Sequence, residues 1–158
     1  MIDQENIVQL VGFRLGPKLF GASILNVREI IRNPRVETVD GLPDFVEGVV
    51  RIRGEVLPIV NLGRILGVKL SRIEEEKLWV LVAQSGKRNI GYIVDSVTPI
   101  IRISNRKILS APDLILSSLR NKYIKGVCET DKGLIVIVDL EHMMLDDEIK
   151  EMERLAVE

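Results

Sequence analysis

The chain has 158 residues, of which 46% are hydrophobic, 28% charged and 4% aromatic. A polypeptide of this size buries enough surface to fold without a metal or disulfide staple, and the composition is that of a globular domain rather than a disordered one. The formal net charge of −1 leaves no excess of cations to neutralise a phosphate backbone, which argues against generic nucleic-acid binding.

Val, Ile and Leu dominate the apolar residues, a bias that favours strands. Residues 7–15 read as a strand with Val11, Phe13 and Leu15 on one face, and Gly16-Pro17-Lys18 turns the chain into a second strand at 19–24. Asn26 followed by Glu29 has the spacing of a capping box, and Val27, Ile30 and Ile31 would share one face of a short helix stopped by Asn33-Pro34. After a loop at 34–44, strands are expected at about 48–53 and 55–60, hinged at Arg53-Gly54. One helical turn follows at Leu62 to Leu66, closed by Gly67. Beyond a charged linker, Arg72 to Lys77, strands are expected at 78–84 and 90–97, then an irregular stretch at 104–122. Strands at about 123–129 and 134–139 precede an amphipathic helix at 141–158.

The pattern restarts within the chain. Phe20-Gly21 aligns with Ile90-Gly91, and Val27 to Arg32 with Val97 to Arg102, at an offset of 70. Gly48-Val49 then aligns with Gly126-Val127, and Pro58 to Leu62 with Val136 to Leu140, at an offset of 78. The eight-residue change is assigned to the longer loop before Tyr123. Short strands with turn punctuation, repeated once, indicate a duplicated small barrel.

Residues that carry chemistry are scarce. There is one histidine, His142, and one cysteine, Cys128, with nothing to bring them together, so a nucleophile–base pair is not expected. Cys128 sits among apolar residues and reads as a buried, inert thiol. No set of metal ligands and no phosphate-cradling glycine loop occurs, and neither metal nor cofactor is expected. The acidic clusters Glu74-Glu75-Glu76 and Asp146-Asp147-Glu148 stand in polar stretches that suit a solvated surface. No apolar run approaches the ~20 residues that span a bilayer, and the acidic start Met1 to Glu5 is unlike a secretion signal, so a cytoplasmic protein without direct membrane insertion is expected.

What remains is surface. Arg51-Ile52-Arg53-Gly54 places arginine at a hairpin tip, suited to bidentate contact with a partner carboxylate, whereas the related positions of the second half hold Glu129 and Asp131. The repeat-related patches Val27-Ile30-Ile31 and Val97-Ile100-Ile101 are expected near the junction of the halves, as shared core or as a groove for a partner helix. A small-barrel nucleic-acid binder using Arg51, Arg53 and Arg64 is the alternative, weakened by the near-neutral charge and few aromatic platforms.

At these same residues the chain resembles the CheW family of chemotaxis coupling proteins. The stretch Leu42-Pro43-Asp44-Phe45-Val46-Glu47-Gly48-Val49-Val50-Arg51-Ile52-Arg53-Gly54-Glu55-Val56-Leu57-Pro58-Ile59-Val60-Asn61-Leu62 is similar to the family's Gly-Val, Arg-Gly hairpin and Pro-Ile/Val-Val-Asp-Leu pattern. Phe20-Gly21 through Ile31 is similar to its short first helix, and Gly91 to Val97 to a strand of the Gly-Val-Asp-Val type. The resemblance implies a mostly β fold: two SH3-like, five-stranded barrels sharing a core, with short helices and a C-terminal helix. It implies one domain over about 7–145, with subdomains at about 20–75 and 78–140 and the N-terminal strand completing the core. It further implies a protein without enzymatic activity that couples the cytoplasmic tip of chemoreceptors to the regulatory domain of the histidine kinase CheA. Such a protein is held at receptor arrays by its partners; an adaptor of a related twitching-motility pathway would share the pattern. Carried over by position, the binding residues are Val27, Glu29, Ile30, Gly48, Arg53, Val97 and Ile100. Arg51-Ile52 before the Arg-Gly, where the family commonly has Asn-Leu, and Pro99, where many relatives are polar, are departures bearing on receptor preference.

Overall fold

A computed structural model describes residues 6–43, 45–68, 78–110 and 123–143. The C-terminal helix expected at 141–158 falls almost wholly outside the described residues, as do the linker at 72–77 and most of the irregular stretch before Tyr123.

Eleven strands, one short α-helix and a single 3-10 turn (Asn105–Lys107, after β9) are described, the strands and α-helix in the order β1 (Ile7–Leu15), β2 (Lys18–Ser23), β3 (Val27–Arg32), β4 (Val46–Ile52), β5 (Glu55–Asn61), α1 (Leu62–Leu66), β6 (Trp79–Ser85), β7 (Arg88–Val94), β8 (Ser96–Val97), β9 (Ile101–Ser104), β10 (Ile124–Thr130) and β11 (Gly133–Val138). They form two sheets. One runs β10-β11-β2-β1-β8, with β9 also on β1; the other runs β3-β6-β7-β5-β4. Strands β8 and β9 occupy one strand position, interrupted where Pro99 has no N–H to donate, so each sheet is five strands wide. The hydrogen-bonded path of each sheet is open at its ends, so the closed barrels expected from the sequence are not formed by backbone pairing.

The duplication is written into the pairing. Gly21 of β2 lies beside Ile137 of β11, and Gly91 of β7 beside Ile59 of β5, both in parallel register. Each of these residues is the repeat partner of one in the other sheet. Glu37 bridges Val49 through N–H···O bonds of 2.8 and 2.9 Å, and Leu109 bridges Val127 through two bonds of 2.8 Å. Because Val36-Glu37 answers to Ile108-Leu109 at an offset of 72, the inserted residues are split: two lie before Ile108 and the rest before Gly126.

The halves are interleaved rather than side by side. Strands β1 and β2 join β8 to β11, while β6 and β7 join β3 to β5, so sheet membership cuts across the ranges 20–75 and 78–140. The expected strand at 90–97 is accordingly two strands in different sheets. The chain crosses at Asp95, whose carboxylate accepts from Gly16 N–H at 2.6 Å and whose own N–H donates to the Arg14 carbonyl at 3.0 Å.

Three apolar clusters follow from strand alternation. The largest joins the sheets and includes Phe13, Phe20, Ala83, Tyr92 and Leu140. A second, around Ile59, Val80 and Ile93, lies on the other face of the β3–β7 sheet, and a third, around Leu10, Cys128 and Ile135, on the other face of its counterpart. Cys128 is fully buried, as its apolar neighbours suggested. Inside the shared cluster, Ser85 Oγ lies 3.1 Å from the Tyr92 hydroxyl and donates to the Leu140 carbonyl at 3.2 Å, which satisfies polar groups that burial would otherwise penalise.

The helix expected after Asn26 is a strand. Residues 24–26 form a turn, with Asn26 N–H donating to the Ser23 carbonyl at 2.9 Å, and β3 pairs antiparallel with β6 from Val27↔Ala83 to Arg32↔Trp79. Burial alternates residue by residue along β3, which a helix face would not do. Three β-branched residues in six favour the strand, and a neighbouring edge was available to pair. Asn33 then adopts a left-handed φ of 52° before Pro34, ending the strand at the predicted stop.

Candidate protein-interaction surface

The β4–β5 hairpin turns through two residues, with Ile52 opposite Glu55. Arg53 has φ 49° and Gly54 φ 78°, so both central positions are left-handed, as a type I′ turn demands. Glycine meets that demand freely, but a long side chain rarely occupies such a position. The arginine there forms a fork with Glu29 of β3: Nη2 to Oε2 at 2.5 Å and Nη1 to Oε1 at 3.4 Å. The hydrogen bond and the nearby charge of Glu29 raise the guanidinium pKa further above its ordinary value, so the cation is permanent.

The Arg53 side chain is 70% exposed and that of Glu29 34%. An ion pair this exposed contributes little to folding, so its consequence is positional: it fixes the guanidinium plane and leaves further N–H donors for a partner carboxylate. The pair also joins the hairpin at one end of the sheet to the strand at its other end. In the second half the corresponding residues are Asp131 and Pro99, and no such fork exists.

The repeat-related apolar patches divide in the same way. Val27 and Val97 pack on the shared cluster, Ile31 and Ile101 on the separate clusters of their own sheets, and Ile30 and Ile100 face solvent with 40% and 50% exposure. In β3 a bulge between Val27 and Glu29 sends Val27 and Ile31 to different cores. Each expected patch therefore supplies one exposed isoleucine at a sheet edge rather than a continuous apolar wall.

Gly48 is buried, and it is not a residue of unusual φ. A Cβ there would lie 2.5 Å from the Glu37 carbonyl and 2.7 Å from Val36 Cγ1, and at Gly126 it would lie 2.7 Å from the Leu109 carbonyl. These glycines let a bridging segment lie against β4 and β10, so Gly48 meets a requirement for space. Of the seven expected binding residues, the structure joins Glu29 to Arg53, with Ile30 beside Glu29 on β3. Val27 and Val97 share the central core, Ile100 lies on the edge of the other sheet, and Gly48 sits under the 36–37 segment.

Sequence reasoning overlooked several pairs that arginine side chains make. Arg51 Nε donates to Glu37 Oε2 at 2.8 Å, Arg64 lies 3.6 Å from Glu47, and Arg28 donates to Gln84 Oε1. Each joins residues far apart in sequence, and the only advance signal was the charge of the exposed strand positions. Asp139, Glu141 and His142 bring ligand atoms within 4.8 Å of one another. The Asp139 carboxylate, however, caps the turn by accepting from the N–H groups of Glu141 and His142, and it binds the His142 ring at 2.8 Å. Asn61 accepts from Arg64 N–H in the same way at the start of α1, so the cluster is the repeat of a helix cap rather than a metal centre.

The family model for the CheW-like domain matches residues 9–148. The chain is 33% identical over 140 residues to the chemotaxis protein CheW of Rhizobium meliloti, covering 89% of each chain. It is 28% identical over 144 residues to the chemotaxis protein CheW of Klebsiella aerogenes, covering 91% of this chain and 86% of that one. The crystal structure of the scaffolding protein TtCheW from Thermoanaerobacter tengcongensis superposes with a TM-score of 0.78 at 23% identity, covering 90% of this chain and 96% of that one, which shows a common fold. With residues 9–148 matched by the family model, the chain belongs to the CheW-like domain family.

Proposed function

We propose that this chain is a non-enzymatic scaffold of bacterial chemotaxis that couples chemoreceptors to the histidine kinase CheA. Membership of the CheW-like family supports the pathway, and the fork between Arg53 and Glu29 is the observation that carries the docking site. An adaptor must hold partners by complementarity alone. A guanidinium fixed in plane at an exposed hairpin tip offers a charged anchor to a helical receptor tip, and the exposed Ile30 adds an apolar contact at the edge strand β3. Val27, Gly48, Val97 and Ile100 are the further binding residues of this reading, and the regulatory domain of CheA is the second partner. The domain spans about residues 7–145, and each five-strand sheet curls toward an SH3-like barrel. The Arg53–Glu29 contact across one sheet's ends favours that curvature. Among the described residues no helix is long and apolar enough to cross a membrane, so placement at receptor arrays comes through the partners.

Reconstitution of receptor, CheA and this protein tests the reading. Kinase autophosphorylation is expected to respond to receptor only when the protein is present, and to lose that response with Arg53→Glu. Equal stimulation in its absence would remove the proposal.

A further inference from the structure

The hairpin tip related to Arg53 by the duplication has a different surface. Between the β1–β2 and β10–β11 turns lies a cleft of about 330 Å³, with Leu19, Leu134 and Val136 on its walls and Arg14, Lys18 and Lys132 around it. Leu134 is 40% exposed. None of the three cationic side chains makes a hydrogen bond or ion pair with a described residue, although Arg28, Arg51, Arg53 and Arg64 are all engaged elsewhere on the surface. No carboxylate is among the residues that line the cleft.

The repeat supplies the control. Gln84 answers to Arg14 and is bonded to Arg28 and to the Gly86 carbonyl. Arg88 answers to Lys18 and donates to the Val56 carbonyl at 3.3 Å. Glu55 answers to Gly133 and adds an acid. The same place in the other sheet is thus internally satisfied, while this one holds three cations without a hydrogen-bond or ion-pair partner among the described residues. Unpaired charge of one sign around an apolar floor selects a partner of opposite charge with an apolar side chain to bury.

We propose that this cleft is a separate docking surface for an acidic segment of a partner protein, one that places an aliphatic side chain between carboxylates. Its volume is at the low end for ligand sites and fits a side chain rather than a large cofactor. The intact protein, isotopically labelled, would be titrated with the peptide Glu-Glu-Leu-Asp-Glu and its neutral counterpart Gln-Gln-Leu-Asn-Gln. The acidic peptide is expected to shift the resonances of Leu19, Leu134 and Val136 saturably, with affinity falling as salt rises. The double variant Lys18→Glu, Lys132→Glu, with fold verified by circular dichroism, is expected to bind at least about tenfold more weakly. Absence of saturable shifts at low ionic strength overturns the proposal, as do equal shifts with the neutral peptide or undiminished binding by the double variant. Co-sedimentation with phosphatidylglycerol vesicles without a peptide response overturns it too, in favour of a lipid surface. The assay contains neither kinase nor receptor, so its failure leaves the scaffold reading untouched.

Discussion

Arg53 holds a backbone conformation that asparagine or glycine would adopt with less strain. Replacement by Asn is therefore expected to leave the melting temperature unchanged or higher while abolishing receptor coupling; a lowered melting temperature would mean that the residue serves the fold. Gly48 presents the opposite case. Its alanine variant must displace the Glu37 carbonyl, and a loss of about 1–3 kcal/mol is expected in urea unfolding, with a similar loss at Gly126. His142 gives a pH signature. The hydrogen bond that the ring donates to Asp139, and then the charge of that carboxylate, raise the imidazole pKa, with desolvation and Lys125 opposing. A raised folded pKa favours the protonated form, so the small stabilisation is present below the ordinary histidine range and lost as pH rises through the folded value. An NMR titration should place the His142 midpoint above the ordinary value, and Asp139→Asn should return it.

Among the elements, β3 separates what the sequence could show from what it could not. The capping spacing of Asn26 and Glu29, and the i, i+3, i+4 placement of Val27, Ile30 and Ile31, satisfy the local rules of a helix. What decides for a strand is the free edge of β6, a tertiary partner that no local window contains. A strand predicts different outcomes at adjacent residues. Ile31→Asp puts a carboxylate against the cluster of Ile59 and Val80 and should cost at least about 2 kcal/mol, whereas Ile30→Asp should change stability by about 0.5 kcal/mol or less. Similar losses at both positions would contradict the alternation. By contrast, β1 and α1 fall where their patterns placed them, because apolar alternation and the Gly67 cap are local signals. Arg53 was legible as a hairpin tip from Arg-Gly. Its bond to Glu29 was not, because it depends on β3 being a strand.

For the whole molecule, the duplication was readable and the exchange of strands between halves was not. Repeat alignment reports that two units are alike, but it carries no information about which unit's edge each strand joins. The parallel pairings of β2 with β11 and of β5 with β7 make both sheets composite. Fragments cut between Val68 and Leu78 are accordingly expected to be unfolded alone and to regain native-like circular dichroism on mixing. A half that folds alone would contradict the interleaving. The asymmetry between the halves is as informative as their likeness, since one hairpin tip carries a clamped arginine and its counterpart an open basic cleft. A scaffold gains two unlike surfaces from one duplicated frame. The central claim, that the protein acts by binding, is tested most directly by calorimetric titration against the isolated regulatory domain of the cognate CheA, with wild type and Arg53→Glu in parallel. Saturable wild-type binding, with receptor coupling rather than folding lost in the variant, is the predicted result; a correctly folded wild-type protein that does not bind would contradict the account.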